Sequence, residues 1–244
     1  MAATREARAL TEAHRLAQLR LGGRVVTAMR SLWPLLEPGD LDRSFPRWLV
    51  GTKLVVDGQR VVSARLAANY VSAYKSLELG AAAAAAPVVL AETAAPAAVA
   101  TSMLVTGPAA AKSAIARGVP VEQAMAVAER RAAAAAMRHV LDGGRSTVTD
   151  TVNADRQALG WGRAVSGRGC HFCAMLASRG PVYKSEGSAD FNPHDGCACA
   201  AEPVYREDSA WPAGGEQYRA LWRRETEGLS GNEAINAFRR ALSA

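Results

Sequence analysis

All four cysteines of this chain fall between residues 170 and 199. They stand in the segment CHFCAMLASRGPVYKSEGSADFNPHDGCACAAEPVY. Cys170 and Cys173 form a C-x2-C pair, and His194, Cys197 and Cys199 form an H-x2-C-x-C group about 20 residues later. A stretch so rich in glycine, proline and polar residues has too few apolar side chains to bury a core of its own. Two closely spaced donor groups at this separation are the pattern of a zinc module. A borderline-soft ion takes four sulfur or nitrogen ligands at tetrahedral corners, and short turns bring them together with little loop entropy. Gly180, Gly187 and Gly196 permit such turns. Metal binding would then replace the core that the segment lacks. Cys170, Cys173 and Cys199 are the expected ligands, with Cys197 or His194 as the fourth; His171 is a further donor nearby. Two disulfides, or free thiols in a core, are the rival readings. Four protein ligands leave no position for an activated water, so the site reads as structural. A three-ligand catalytic site would need a general base. Glu186, Asp190 and Asp195 stand close by but read as solvated loop carboxylates.

The rest of the chain is a different material. Of 244 residues, 49% are apolar but only 6% aromatic, because alanine supplies much of the count. Alanine buries little area, so the helix–helix core is expected to be close-packed and thin. Lys and Arg number 29 and Asp and Glu 23, which gives 29 − 23 = +6. That excess permits an anionic partner without a dense basic stripe to mark one. Arg5, Glu6, Arg8 and Glu12 exclude the apolar core of a signal peptide. The most apolar stretch, Leu79 to Ala111, is interrupted by Pro87, Pro96 and Pro108 and charged by Glu92, with Lys112 just beyond, so no transmembrane helix is expected. A reducing cytoplasm is the expected compartment, where thiols stay free or bind metal.

The fold class expected is mainly α: a helical N-terminal domain followed by a small metal-stabilised α+β module with short strands. Residues 1–80 read as an N-terminal helical region, 81–165 as an alanine-rich helical region, 166–215 as the Cys/His zinc-binding module and 216–244 as closing helices. Leu10, His14, Ala17 and Leu21 recur at helical spacing in a helix over 4–30, with Gly22-Gly23 a weak spot. Asp40 is the expected N-cap of the next helix. Asp57-Gly58 predicts a break in it. Ala81 to Ala86 reads as a helix end or linker stopped by Pro87. Gly107-Pro108 and Gly118-Val119-Pro120 punctuate the second block. The clearest helix runs from 120 to 144, with Ala124, Val127, Ala128, Ala135 and Val140 inward and Gly143-Gly144 as its stop. A further helix is expected over 145–165. Two closing helices follow, over 216–228 and 232–242, with Asn232 as N-cap of the second.

Taken with its flanks, the cysteine segment reads W-G-R…C-x-F-C-A-M-L-A-S-R-G-P-V-Y-K-S…F…H-x-x-C-x-C…E-P-V-Y. This pattern resembles the C-terminal module of phage Mu F-like minor head proteins. It is most similar to those of tailed phages with actinobacterial hosts, a subgroup also described as capsid maturation proteases. The stretches LVTGP (104–108), RHVLDGGR (138–145), ADRQALGWGR (154–163) and LSGNEAINAFRRAL (229–242) extend the resemblance over roughly residues 100 to 244. It implies a virion protein that joins the head at low copy during assembly, inside the head or at the portal vertex. The implied partners are the portal protein and the major capsid protein, with packaged DNA a further one and no membrane. Cys170, Cys173, His194, Cys197 and Cys199 are the positions carried over as metal ligands of a structural zinc. Many Mu F-like modules have Asp and Arg in place of the first cysteine pair, which makes the metal a feature of this subgroup.

A protease needs a nucleophile, a base and a group that orients the base. The histidines are His14, His139, His171 and His194. Neither G-x-S-x-G nor H-E-x-x-H occurs, and Ser166-Gly167 and Ser178-Arg179-Gly180 read as turns. The expectation is therefore a non-enzymatic minor head protein. A capsid maturation protease acting on head proteins is the alternative. A nucleic-acid-binding module offering Arg168, Arg179 and Lys184 to phosphate is the second. Trp33, Phe45, Trp48 and Tyr70 read as aromatic anchors of the alanine-rich core, and Trp161 as packing the cysteine module against the helices. Tyr218 to Trp222 is expected to lean on that module. Arg20, Arg24 and Arg30 read as a solvated face, with DNA or an acidic portal surface as the functional alternative.

Overall fold

Three long helices set the architecture: α1 (Arg5–Leu32), α2 (Leu41–Leu79) and α5 (Val121–Ala154). Two shorter ones, α3 (Pro96–Thr106) and α4 (Pro108–Ala116), pack against α5 and α2. The computed structural model describes residues 5–165, 169–180, 191, 193–207, 211–212 and 214–243. α1 runs antiparallel to α2, so that Thr11 meets Tyr70 and Gln18 meets Ser63. Asp40 caps α2 as expected, its carboxylate accepting the Arg43 N–H at 3.2 Å. α5 lays Ala128, Ala132, Ala135 and Ala136 into the interface, all fully buried. Small side chains let the helices approach closely, and a few large ones fill the remaining space. Trp48 is the main filler, with Trp33 edge-on at 5.7 Å and Phe45 at 6.0 Å. The fold is mainly α, with one small two-stranded sheet among the described residues.

Several local expectations give way to packing. Gly22-Gly23 does not interrupt α1, because Gly22 lies under the side chain of Met137. Asp57-Gly58 does not break α2, which continues to Leu79 with Val56 and Ala64 buried on its inner side. Gly143-Gly144 does not end α5. A Cβ at Gly143 would stand 2.8 Å from the Arg60 carbonyl oxygen, and one at Gly144 2.8 Å from Ser63 Oγ. These glycines let α2 and α5 touch backbone to backbone rather than stopping the helix. The helix expected over 145–165 is the last part of α5 followed by a strand. Val127, expected inward, is 38% exposed. Asn232 sits inside the first turn of the last helix, α8 (Gly231–Ser243), and the Ser230 carbonyl accepts the first helical N–H groups.

Between α2 and α3 the chain forms a short 3-10 turn (Gly80–Ala82) and then an extended strap up to Ala95. Side chains at the C-terminal end of α5 and just beyond it, rather than another strand, satisfy its backbone. Thr147 accepts from Ala91 N–H and Thr151 from Val89 N–H, each at 3.0 Å, and Gln157 holds Ala82 and Ala84.

The C-terminal part is built on β1 (Gly160–Ala164) paired antiparallel with β2 (Ala200–Val204), Gly162 opposite Glu202. Both strands are buried throughout. Trp161, Val148, Val152, Tyr70 and Tyr74 join three of the cysteines in one core, so Trp161 does pack the module onto the helices. α6 (His171–Ala177), α7 (Gly215–Glu225) and α8 (Gly231–Ser243) form a smaller core around Phe238, with Trp222 at 5.1 Å. Tyr218 bridges the two cores, and α7 leans on the helix that carries Cys173. Among the described residues no helix is long and apolar enough to cross a membrane.

Candidate metal centre

The cysteines arrive from two directions. Cys170 is the N-cap of α6, its sulfur accepting the Cys173 N–H at 3.3 Å, so the C-x2-C pair is closed by one helical turn. His194, Cys197 and Cys199 lie on the turn that leads into β2, where the Cys197 N–H bonds back to the His194 carbonyl. Cys173 is the meeting point. Its sulfur lies 3.5 Å from Cys197 Sγ and 3.8 Å from His194 Nε2, and Cys170 Sγ is 2.8 Å from the same imidazole nitrogen. Two triads of donor atoms share it: Cys170, Cys173 and His194, and Cys173, Cys197 and Cys199. Each of the five expected ligand residues falls in one of the two triads, Cys170 and Cys199 in different ones; among the described residues His171 belongs to neither.

The dimensions suit a metal ion. Bonds of about 2.3 Å to sulfur and about 2.0–2.1 Å to nitrogen place tetrahedral donors about 3.5–3.8 Å apart. The contacts Cys173 makes with Cys197 and His194 match those edges. A disulfide needs about 2.05 Å between sulfurs, and all four cysteines are free thiols. The donors border a cavity of about 220 Å³ together with Val165, Gly169 and Gly196. The cluster can hold a metal ion.

Buried arginines hold the donors in place. Arg145, 5% exposed and on α5, donates to the Cys197 carbonyl at 2.6 Å and the Cys199 carbonyl at 3.2 Å, and pairs with Asp142 at 2.8 Å. Arg138, two turns earlier, pairs with Asp195 at 2.7 Å. The His194 Nδ1–H donates to the Asp195 carbonyl at 2.8 Å, which leaves Nε2 with its lone pair toward the sulfurs. Arg163 on β1 reaches Cys173 Sγ at 3.7 Å and the Phe191 carbonyl, and lies 3.8 Å over the Phe191 ring. Trp161 stacks beside that ring at 5.5 Å. Two guanidinium groups fixed beside the thiols favour the thiolate form that a metal requires. Within the buried trio, hydrogen bonds from Cys173 and Cys199 pull the Cys197 thiol far below its ordinary value, and Arg145 adds to this. The bonds with Cys197 and Cys199 push Cys173 far above.

Arg145, Arg163 and Phe191 carry no local signal in the sequence, since an arginine on a helix reads as solvated. RHVLDGGR and ADRQALGWGR, two stretches of the family resemblance, contain both arginines. Of the other histidines, His14 is stacked on Tyr70 at 4.3 Å, and burial pulls it down to about 4. His139 is likewise lowered to about 4, by burial and by Arg138. Ser178-Arg179-Gly180 is a turn after α6, as expected. Glu186, Asp190, Ser166, Gly167, Gly187, Arg168 and Lys184 lie outside the described residues. Arg20, Arg24 and Arg30 are exposed on α1, Arg30 lying 3.8 Å from Glu129.

No curated protein and no solved structure matches the chain. The family described as VG15 protein matches residues 4–224, from the start of α1 to α7. A match that spans both the helical body and the Cys/His cluster makes this chain a member of the VG15 protein family, a viral (phage) protein family.

Proposed function

We propose that the chain is a minor head protein of the phage particle, taken up at low copy beside the portal and major capsid proteins during assembly. A zinc ion holds its C-terminal module in shape. The observation that carries this reading is the tie between the cysteine cluster and the central helix. Arg145 and Arg138 of α5 grip the two ends of the His194–Cys199 turn. A metal bound there stiffens one end of a helical body rather than opening a substrate site. Four of these five donors, drawn together from the two triads that meet at Cys173, would complete a tetrahedral set and leave no corner for an activated water. Thiolate and imidazole donors favour zinc over harder cations. The helical faces, including the exposed arginines of α1, are then the surfaces offered to the portal, the capsid or packaged DNA.

Quantitative mass spectrometry of purified particles beside immature heads tests the role. Full-length chain at low copy in both supports a structural component. Its absence from both overturns the reading.

One distance favours a second reading, the capsid maturation protease. Cys170 Sγ and His194 Nε2 are 2.8 Å apart, within the range of a nucleophile and its base. In that case Cys170→Ala would abolish cleavage of the major capsid protein. In the structural reading the substitution leaves capsid processing unchanged.

A further inference from the structure

The five donors form two triads that meet at Cys173, and they are not equivalent. Cys173, Cys197 and Cys199 are all buried. The carbonyls of Cys197 and Cys199 are gripped by Arg145, and Cys173 is fixed on α6 beside Arg163. Cys170 is only partly buried and His194 is exposed, and these two press on each other at 2.8 Å. That is shorter than the edge of about 3.5 Å between a sulfur and a nitrogen bound to one tetrahedral zinc. The pair stands at hydrogen-bond distance, as two groups do when they share one corner.

We propose, building on the zinc reading above, that Cys173, Cys197 and Cys199 form a fixed inner set and that Cys170 and His194 alternate in the fourth position. In each exchange one metal–donor bond forms as the other breaks. The imidazole, held by the Asp195 carbonyl, takes the corner as the Cys170 thiolate leaves it, and the reverse exchange returns the thiolate. Metal stays bound throughout.

Metal titration of the full-length reduced chain with zinc, and with cobalt as a spectroscopic stand-in, tests this. Cys170→Ser and His194→Ala should each keep one metal per chain. Their affinity should stay within about a hundredfold of wild type, the scale of an orienting group rather than a ligand. The double variant, and Cys173→Ser, Cys197→Ser or Cys199→Ser singly, should lose the metal. This non-additivity is the signature of a shared corner. Circular dichroism confirms that the helical body of each variant is intact. A second readout needs no variant: iodoacetamide should label Cys170 alone in the zinc-loaded wild type and all four cysteines after chelation. Loss of metal in either outer single variant, retention in Cys199→Ser, two metals per chain, or full protection of Cys170 would each overturn the exchange. A wild-type chain that binds less than one metal would overturn the zinc reading itself, which is a different result.

Discussion

Gly144 and Gly58 occupy two long, well-formed helices, and the same substitution should act on them with opposite sign. At Gly144 an added Cβ would stand 2.5 Å from Gln18 Nε2, 2.8 Å from Ser63 Oγ and 3.1 Å from the Ser63 carbonyl oxygen. The flexible end of Gln18 does not move freely. Its amide donates to the Ser63 carbonyl at 3.0 Å and accepts from Ser63 Oγ at 2.8 Å, and Ser63 Oγ accepts the Gly144 N–H at 2.9 Å. Making room breaks buried hydrogen bonds that contribute about 0.5–1.5 kcal/mol each. Overpacking adds about 1–3 kcal/mol. Better helix propensity returns about 1 kcal/mol. The net expectation for Gly144→Ala is a loss of about 2–4 kcal/mol, or roughly 5–15 °C in Tm for a chain of this size. At Gly58 a Cβ meets nothing within 4 Å. Gly58→Ala should therefore gain about 0.5–1 kcal/mol, from propensity and a less flexible unfolded chain. Thermal unfolding followed by far-ultraviolet circular dichroism reads both. A Gly144→Ala variant as stable as wild type would refute the close approach of α2 and α5.

Three further outcomes are expected. Burial pushes the Glu202 carboxyl up to about 7, against the opposing pull of Thr11 and Arg8. Its folded value lies above its unfolded one, so stability is complete at low pH and falls as pH rises toward about 7; Glu202→Gln should raise Tm at about pH 8 and leave it unchanged at about pH 4. Arg145→Met keeps the bulk but drops both carbonyl contacts and leaves Asp142 without that partner; zinc affinity, measured by competition with a chromophoric chelator, should fall about 10–100-fold. Chelation of the metal should speed hydrogen exchange in α6 and around β2 while α1, α2 and α5 keep their protection, because the alanine-rich core does not depend on the ion. Uniform loss of protection would contradict that division.

The donor residues were legible because metal ligation imposes short spacings within a turn: C-x2-C needs one helical turn, and H-x2-C-x-C one tight loop. The long helices were legible from apolar spacing, and the Asp40 cap and the break at Gly107-Pro108 before α4 from local chemistry. Gly143-Gly144 misleads because the sequence shows only the propensity cost of two glycines and not the backbone of Arg60 and Ser63 lying against them. β1 escapes for a related reason. Gly160 to Ala164 is buried on both faces, so it lacks the alternation of a half-exposed strand, and its partner β2 is some forty residues away. Arg145 and Arg163 look like solvent-facing charges until the chain folds over them.

α5 is 34 residues long, about 50 Å of uninterrupted helix. One end lies among α3 and α4, and toward the other it grips the cysteine turn. Gly143 and Gly144, in its C-terminal half, lie tight against Arg60 and Ser63 of α2, so the stretch most able to bend is braced by its neighbour. A change in how α2 and α5 pack would therefore be felt first at Arg145, one residue beyond the glycines, and through it at the carbonyls of the cysteine turn.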